Sequence, residues 1–195
     1  MSKKRRQQQV QRQRRVRTRR TRVAALAALA VVIVVGGVAA VRGSGGGQGE
    51  RIHLYQGQAR LGAATVALSD VVGHGQPAIV NFWASNCPPC RREMPGFQKV
   101  YAEHGGQGYR MLGVDVGPQT GLGTHQGARD LLRQEDIRYP VGYAEGDGLV
   151  QRYGLRGMPT TLFFDASGRQ VGRVVGFLDE AQLRSRLASL LASAR

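Results

Sequence analysis

Cysteine is nearly absent from this 195-residue sequence. Two cysteines are too few for a disulfide scaffold, and too few for a four-ligand zinc site unless histidines complete it. The four histidines, His53, His74, His104 and His125, are scattered and form no closely spaced pair, so no metal is expected. No G-x-G-x-x-G run is present, which argues against a flavin or nicotinamide cofactor, and none is expected. There are no internal repeats. Acidic residues are also scarce, 13 against 28 Lys and Arg, for a formal net charge of +15. Spread over a folded surface, that excess would suggest a nucleic-acid partner. It is not spread: residues 1–22 hold 11 of the 28 basic side chains and no Asp or Glu, whereas residues 42–195 hold 17 basic and 13 acidic ones. The part able to fold is only mildly basic, and no nucleic acid is expected.

What is present divides the chain into segments. Residues 1–22 form a polar Arg- and Gln-rich tail with almost nothing apolar to bury, so it makes no core. Val23–Val41 is then a run of 19 uncharged residues bracketed by Arg22 and Arg42. As a helix it would cover about 28 Å, close to the hydrocarbon thickness of a bilayer. The segment 23–41 is therefore expected to be a single-pass transmembrane anchor. The positive-inside rule places the basic tail in the cytoplasm and everything after the anchor outside it. Two alternatives stay open: a nucleic-acid arm for the tail, and a cleaved signal peptide with Val38, Ala39 and Ala40 before its cleavage site. Either signal or anchor exports the rest of the chain. Residues 42–50 include the glycine-rich Gly43–Gly49 and read as a flexible spacer, leaving 51–195 as the folded domain.

Within that domain, strand-like and helix-like segments alternate, which indicates an α/β fold with a mixed central sheet flanked by helices. Residues 77–82 (PAIVNF) are a near-continuous apolar run suited to a buried central strand, followed by the cysteines and a helix over about 90–104. Residues 109–116 predict a second buried strand, and 128–135 a helix that returns the chain for parallel pairing. Residues 160–165 and 170–177 around the turn 166–169 predict an antiparallel hairpin. Asp179 is placed to cap a last helix whose Leu183, Leu187, Leu190 and Leu191 form one apolar stripe. The expected order is parallel strands first and the hairpin last. The glycines at 117, 121, 123 and 127 read as loop.

Both cysteines fall in one C-x-x-C at the strand-to-helix turn. A cysteine at a helix N-terminus feels the helix dipole and unpaired backbone N–H groups, which favour the thiolate. Cys87 is placed to be that nucleophile and Cys90, one turn further, to resolve the mixed disulfide. The intervening Pro88 and Pro89 remove two N–H donors, which predicts a fairly reducing couple. An inert disulfide is a weak alternative, because closing so short a loop gains little.

Residues 79–95 (IVNFWASNCPPCRREMP), with Gly157-Met158-Pro159-Thr160-Thr161 about 70 residues later, resemble the thioredoxin superfamily, and within it the TlpA-like and ResA-like branch of membrane-tethered bacterial thioredoxins. The likeness covers roughly residues 55–193 and implies a thioredoxin fold and thiol–disulfide oxidoreductase activity. It implies that Pro159 is cis and packs against the cysteines, and that Met158 offers backbone groups to an extended substrate. Substrate contacts would thus come from Trp83, Pro88, Pro89, Met158 and Pro159. Thioredoxins hold a buried Asp where this chain has Asn81, which cannot relay a proton. Glu93 corresponds to an active-site glutamate of ResA-like proteins and could take the proton of Cys90; the alternative is a solvated carboxylate paired with Arg91 or Arg92.

The resemblance further implies a reductase of exported cysteine-containing proteins, apocytochrome c among the candidates, fed by a membrane thiol-reductant donor. An exported oxidant or isomerase, and a tethered copper or haem delivery module without enzymatic activity, are the competing readings.

Overall fold

The computed structural model describes residues 51–55, 64–104 and 108–194. The basic tail, the segment 23–41 expected to span a membrane and the spacer all lie outside the described residues. Among the described residues no helix is long and apolar enough to cross a membrane.

The elements are β1 (Arg51–Leu54), β2 (Thr65–Ala67), α1 (Leu68–Val71), β3 (Ala78–Trp83), α2 (Pro88–His104), β4 (Arg110–Asp115), α3 (Gly117–Thr120), α4 (His125–Gln134), β5 (Val141–Ala144), α5 (Gly148–Arg152), β6 (Thr160–Phe164), β7 (Gln170–Val175) and α6 (Glu180–Ser193). The strands form one seven-stranded sheet in the order β2-β1-β5-β4-β3-β6-β7. β3, β4 and β5 run parallel, while β6 pairs antiparallel with β3 and with β7. The central strand β3 (AIVNFW) is buried at every position, as a strand covered on both faces must be.

Alternation along β3 divides the interior in two. Ile79 and Trp83 point into a cluster with Met94, Phe97, Val100, Leu131, Tyr139, Leu183 and Leu187, which packs α2, α4 and α6 on one face of the sheet. Ala78, Val80 and Phe82 point into the other cluster, with Leu68, Val71, Leu112, Val114, Leu149, Leu162 and Phe164.

Three expectations need correction. The sheet does not begin with parallel strands: β1 and β2 pair antiparallel, and β1 adds antiparallel to β5, extending the sheet at the edge opposite the hairpin. These strands are only four and three residues long and too short to show a period of two in the sequence. The helix expected from 128 starts at His125, because Thr124 caps it by accepting from Gly127 N at 3.0 Å. The glycine-bearing segment after β4 is not all loop, since it carries α3 and the first turn of α4. The last helix is capped as expected: Asp179 accepts from Gln182 N at 2.8 Å, and Gln182 Oε1 accepts in return from Asp179 N at 3.3 Å. Leu183, Leu187 and Leu190 are buried, and Leu191 packs partly buried against the same cluster.

Candidate active site

β3 ends at Trp83, and the next four residues turn the chain into α2. Cys87 N donates to Ala84 O at 3.2 Å, and Cys87 O accepts from Arg91 N at 3.1 Å. Cys87 is therefore the capping residue of α2, and Pro88 and Pro89 occupy its first two positions, where a helix has no use for the N–H that proline lacks. The first N–H the helix can offer is then that of Cys90, and it points at Cys87 Sγ, 3.3 Å away. The two prolines leave one donor aimed at the cysteine sulfur, together with the helix dipole, to stabilise a thiolate. The two cysteines are joined by an S–S bond of 2.02 Å. Cys87 is 4% exposed and Cys90 fully buried, so an incoming disulfide meets Cys87 first.

Glu93, the third residue after Cys90, is 2% exposed. Its Oε1 accepts from Asn81 Nδ2 at 2.8 Å, and its Oε2 from Leu178 N at 3.0 Å. Asn81 is oriented by a second donation, to Thr161 Oγ1 at 3.0 Å. Burial pushes the Glu93 carboxyl up to about 7 against the opposing pull of those two hydrogen bonds. The reading of Glu93 as a solvated partner of Arg91 or Arg92 fails, because the two arginines are exposed while the carboxyl is turned inward. Sequence reasoning set Asn81 aside because it cannot relay a proton; in the structure it holds the Glu93 carboxyl in place.

Just before β6, the Met158–Pro159 peptide bond is cis. Pro159 is buried, and its carbonyl accepts from Gly176 N at 2.8 Å. Met158 is half-buried, and neither its backbone N–H nor its C=O has a partner among the described residues. Pro88 is exposed and Pro89 partly so. Trp83 departs from expectation: it is fully buried, in the cluster that contains Cys87 and Cys90, and has no surface to offer a substrate. Phe177, which no motif or periodicity singled out, is 44% exposed, with the Arg92 guanidinium 5.2 Å from its ring centre. Among the described residues no group of three His, Cys, Asp or Glu side chains is poised to hold a metal ion.

This arrangement performs thiol–disulfide exchange. With the pair reduced, Cys87 thiolate attacks one sulfur of a substrate disulfide and expels the other as a thiolate. Cys90 then gives up its proton and attacks Cys87 Sγ, releasing the substrate as a dithiol and restoring the bond seen here. Two electrons pass to the substrate. The reverse sequence oxidises a dithiol.

Known proteins with similar sequences and folds carry the same chemistry in their names. The thiol-disulfide oxidoreductase ResA of Bacillus cereus is 26% identical over 125 residues, 64% of this chain and 68% of the relative. The protein of the same name from Oceanobacillus iheyensis is 31% identical over 134 residues, 69% of this chain and 66% of the relative. Among solved structures, the pneumococcal exposed lipoprotein thioredoxin Etrx1 of Streptococcus pneumoniae strain TIGR4 superimposes with a TM-score of 0.57 at 27% identity, covering 67% of this chain and 95% of that one. The AhpC/TSA family matches residues 51–170, which span β1 to the start of β7 and include both cysteines, Glu93 and Pro159, and the chain belongs to that family.

Proposed function

We propose that this thiol–disulfide oxidoreductase works outside the cytoplasm as a reductase of exported protein disulfides, tethered through residues 23–41 and of the type that serves cytochrome c maturation. The observation that carries the reading is the carboxyl of Glu93, buried one helical turn from the fully buried Cys90 and holding its proton up to about pH 7. A base with that affinity can take the Cys90 proton at neutral pH, which is the step that releases a reduced substrate. The unpartnered backbone of Met158 supports a protein substrate, since an extended chain could add to it as a strand. The likeness to the pneumococcal exposed lipoprotein thioredoxin, and the basic tail followed by 19 uncharged residues, support the compartment. Exported cysteine-containing proteins would be the substrates, and a membrane thiol donor would return the electrons. A glutathione redox titration of the full chain in detergent tests the direction. A potential near or below about −250 mV agrees with a reductase, and one near −120 mV would make the protein an oxidant.

A further inference from the structure

The turn that carries Cys87 is held from a second side. Asn86 N donates to Leu122 O at 2.8 Å, and the buried Ser85 packs against the glycines that lead into α4. A Cβ added at Gly123 would lie 2.2 Å from Ser85 Oγ, and one at Gly127 3.0 Å from it. Gly123 also has φ +154°, so the contact requires glycine twice over. The residues 121–127 thus form the shelf on which the disulfide-bearing turn rests.

The shelf is anchored by a group of side chains that the exchange chemistry does not use. Asp115, the last residue of β4, is fully buried and accepts from Gly117 N at 2.8 Å through Oδ1. Its Oδ2 accepts from the Tyr55 hydroxyl at 2.5 Å. The hydroxyl oxygen of Tyr55 lies in turn 2.8 Å from Nδ1 of His125, the first residue of α4. A phenol has one proton, and here it goes to Asp115, so His125 donates its Nδ1–H to the phenol oxygen. The same Nδ1 is 3.5 Å from Asp115 Oδ2. The other titratable and charged groups facing the array are few. Tyr143 on β5 lies tilted against His125, 4.1 Å between ring centres, and Arg129 on α4 lies 5.4 Å from the Tyr55 ring centre. Beyond Tyr143, His53 stacks at 5.3 Å, with its Nε2 3.5 Å from Glu145.

A fully buried carboxylate is costly to keep, and apolar side chains could have joined the end of β1, the end of β4 and the start of α4 at less cost. The polar chain instead fixes direction: it ends on the first residue of α4, two positions after the glycine that touches Ser85. We propose that Asp115, Tyr55 and His125 are positioning residues for Cys87, holding the 121–127 shelf against the Ser85–Asn86 turn so that Cys87 Sγ stays aligned with the Cys90 N–H. The proposal rests on the exchange reading of the site but concerns only the attacking cysteine. Glu93 serves Cys90 from inside the protein, and Asp115 serves Cys87 from its flank.

Tyr55→Phe keeps the ring and removes the hydroxyl, and Asp115→Asn keeps the shape and removes the charge. The reduced full chain in detergent would be alkylated with iodoacetamide across pH to give the Cys87 thiol pKa, then mixed with a synthetic peptide disulfide to give the attack rate, with melting temperatures measured alongside. The expected result for Tyr55→Phe is a Cys87 pKa higher by about one unit. The thiolate fraction then falls about tenfold, but the more basic thiolate is the better nucleophile, so the attack rate falls roughly three- to fourfold. A purely structural array would lower the melting temperature and leave thiol pKa and attack rate at their original values, and that result would overturn the proposal. Should Asp115→Asn not fold, Tyr55→Phe decides alone. If the unaltered protein fails to attack the peptide, the exchange reading falls, while the alkylation pKa still decides the array.

Discussion

The two faces of the sheet differ in kind. The face bearing α1 and α5 is largely apolar: Ala78, Val80, Phe82, Leu112, Val114, Leu162 and Phe164 cluster together, and buried Thr160 beside Phe82 donates its hydroxyl to Gly157 O at 2.7 Å. The face bearing α2, α4 and α6 carries the disulfide, and buried Asn81, Glu93, Asp115 and Thr161 lie among its apolar residues or beside them. Adjacent β3 residues thus do opposite work, Val80 and Phe82 supplying packing while Asn81 between them orients the buried Glu93 carboxyl. Burying polar groups costs stability unless each is paired, so gathering most of them on one face leaves the other largely free to stabilise the fold.

That division of labour is open to direct challenge. Replacing Cys87 or Cys90 with Ser should lower turnover by more than about a thousandfold, and Cys90→Ser alone should accumulate a mixed disulfide visible on a non-reducing gel. A Cys90→Ser protein that turns over normally would remove the resolving role from Cys90. Phe82→Ala on the largely apolar face should cost about 3–5 kcal/mol in urea unfolding and leave the Cys87 thiol pKa where it was. A shifted thiol pKa in that variant would show that the faces are not independent.

Glu93→Gln tests the more polar face through pH. A carboxyl whose pKa is raised from 4.5 to about 7 contributes most to stability below pH 4.5 and loses that contribution as pH rises through 7. The loss over that window is on the order of 3 kcal/mol. Glu93→Gln should flatten this decline and remove the inflection near pH 7 from the rate of substrate release; persistence of both would assign them to another group. The smallest effect is expected at the surface. Phe177→Ala should change stability by less than about 0.5 kcal/mol and raise KM for a protein disulfide without altering attack on a small one. Unchanged KM would take Phe177 out of the substrate surface.

How much of this was legible in the sequence depended on range. β3 shows as an apolar run, the hairpin of β6 and β7 as an apolar run and a second strand-like segment around a turn, and α6 as a leucine stripe behind Asp179; each is specified by neighbours a few residues away. The cysteine pair was legible for the same reason, since helix start and sulfur spacing are both local. β1 and β2 were not, because they are too short to show a period and exist by pairing with each other and with β5. Trp83 was misjudged because motif position says that a residue is near a disulfide but not whether it reaches the surface.

The redox pair, the strand-to-helix turn that activates it and the order of the central elements are properties of the linear chain, because backbone geometry and side-chain period act over one or two turns. What surrounds the sulfurs is a property of the assembled fold. Glu93 is a buried acid instead of a surface one because Asn81 and the backbone of Leu178, 12 and 85 residues away, close over it. Asp115 meets Tyr55 across 60 residues, and Tyr55 meets His125 across 70. A carboxyl's proton affinity is set by what excludes water from it and what donates to it, and those neighbours become neighbours only when the sheet assembles.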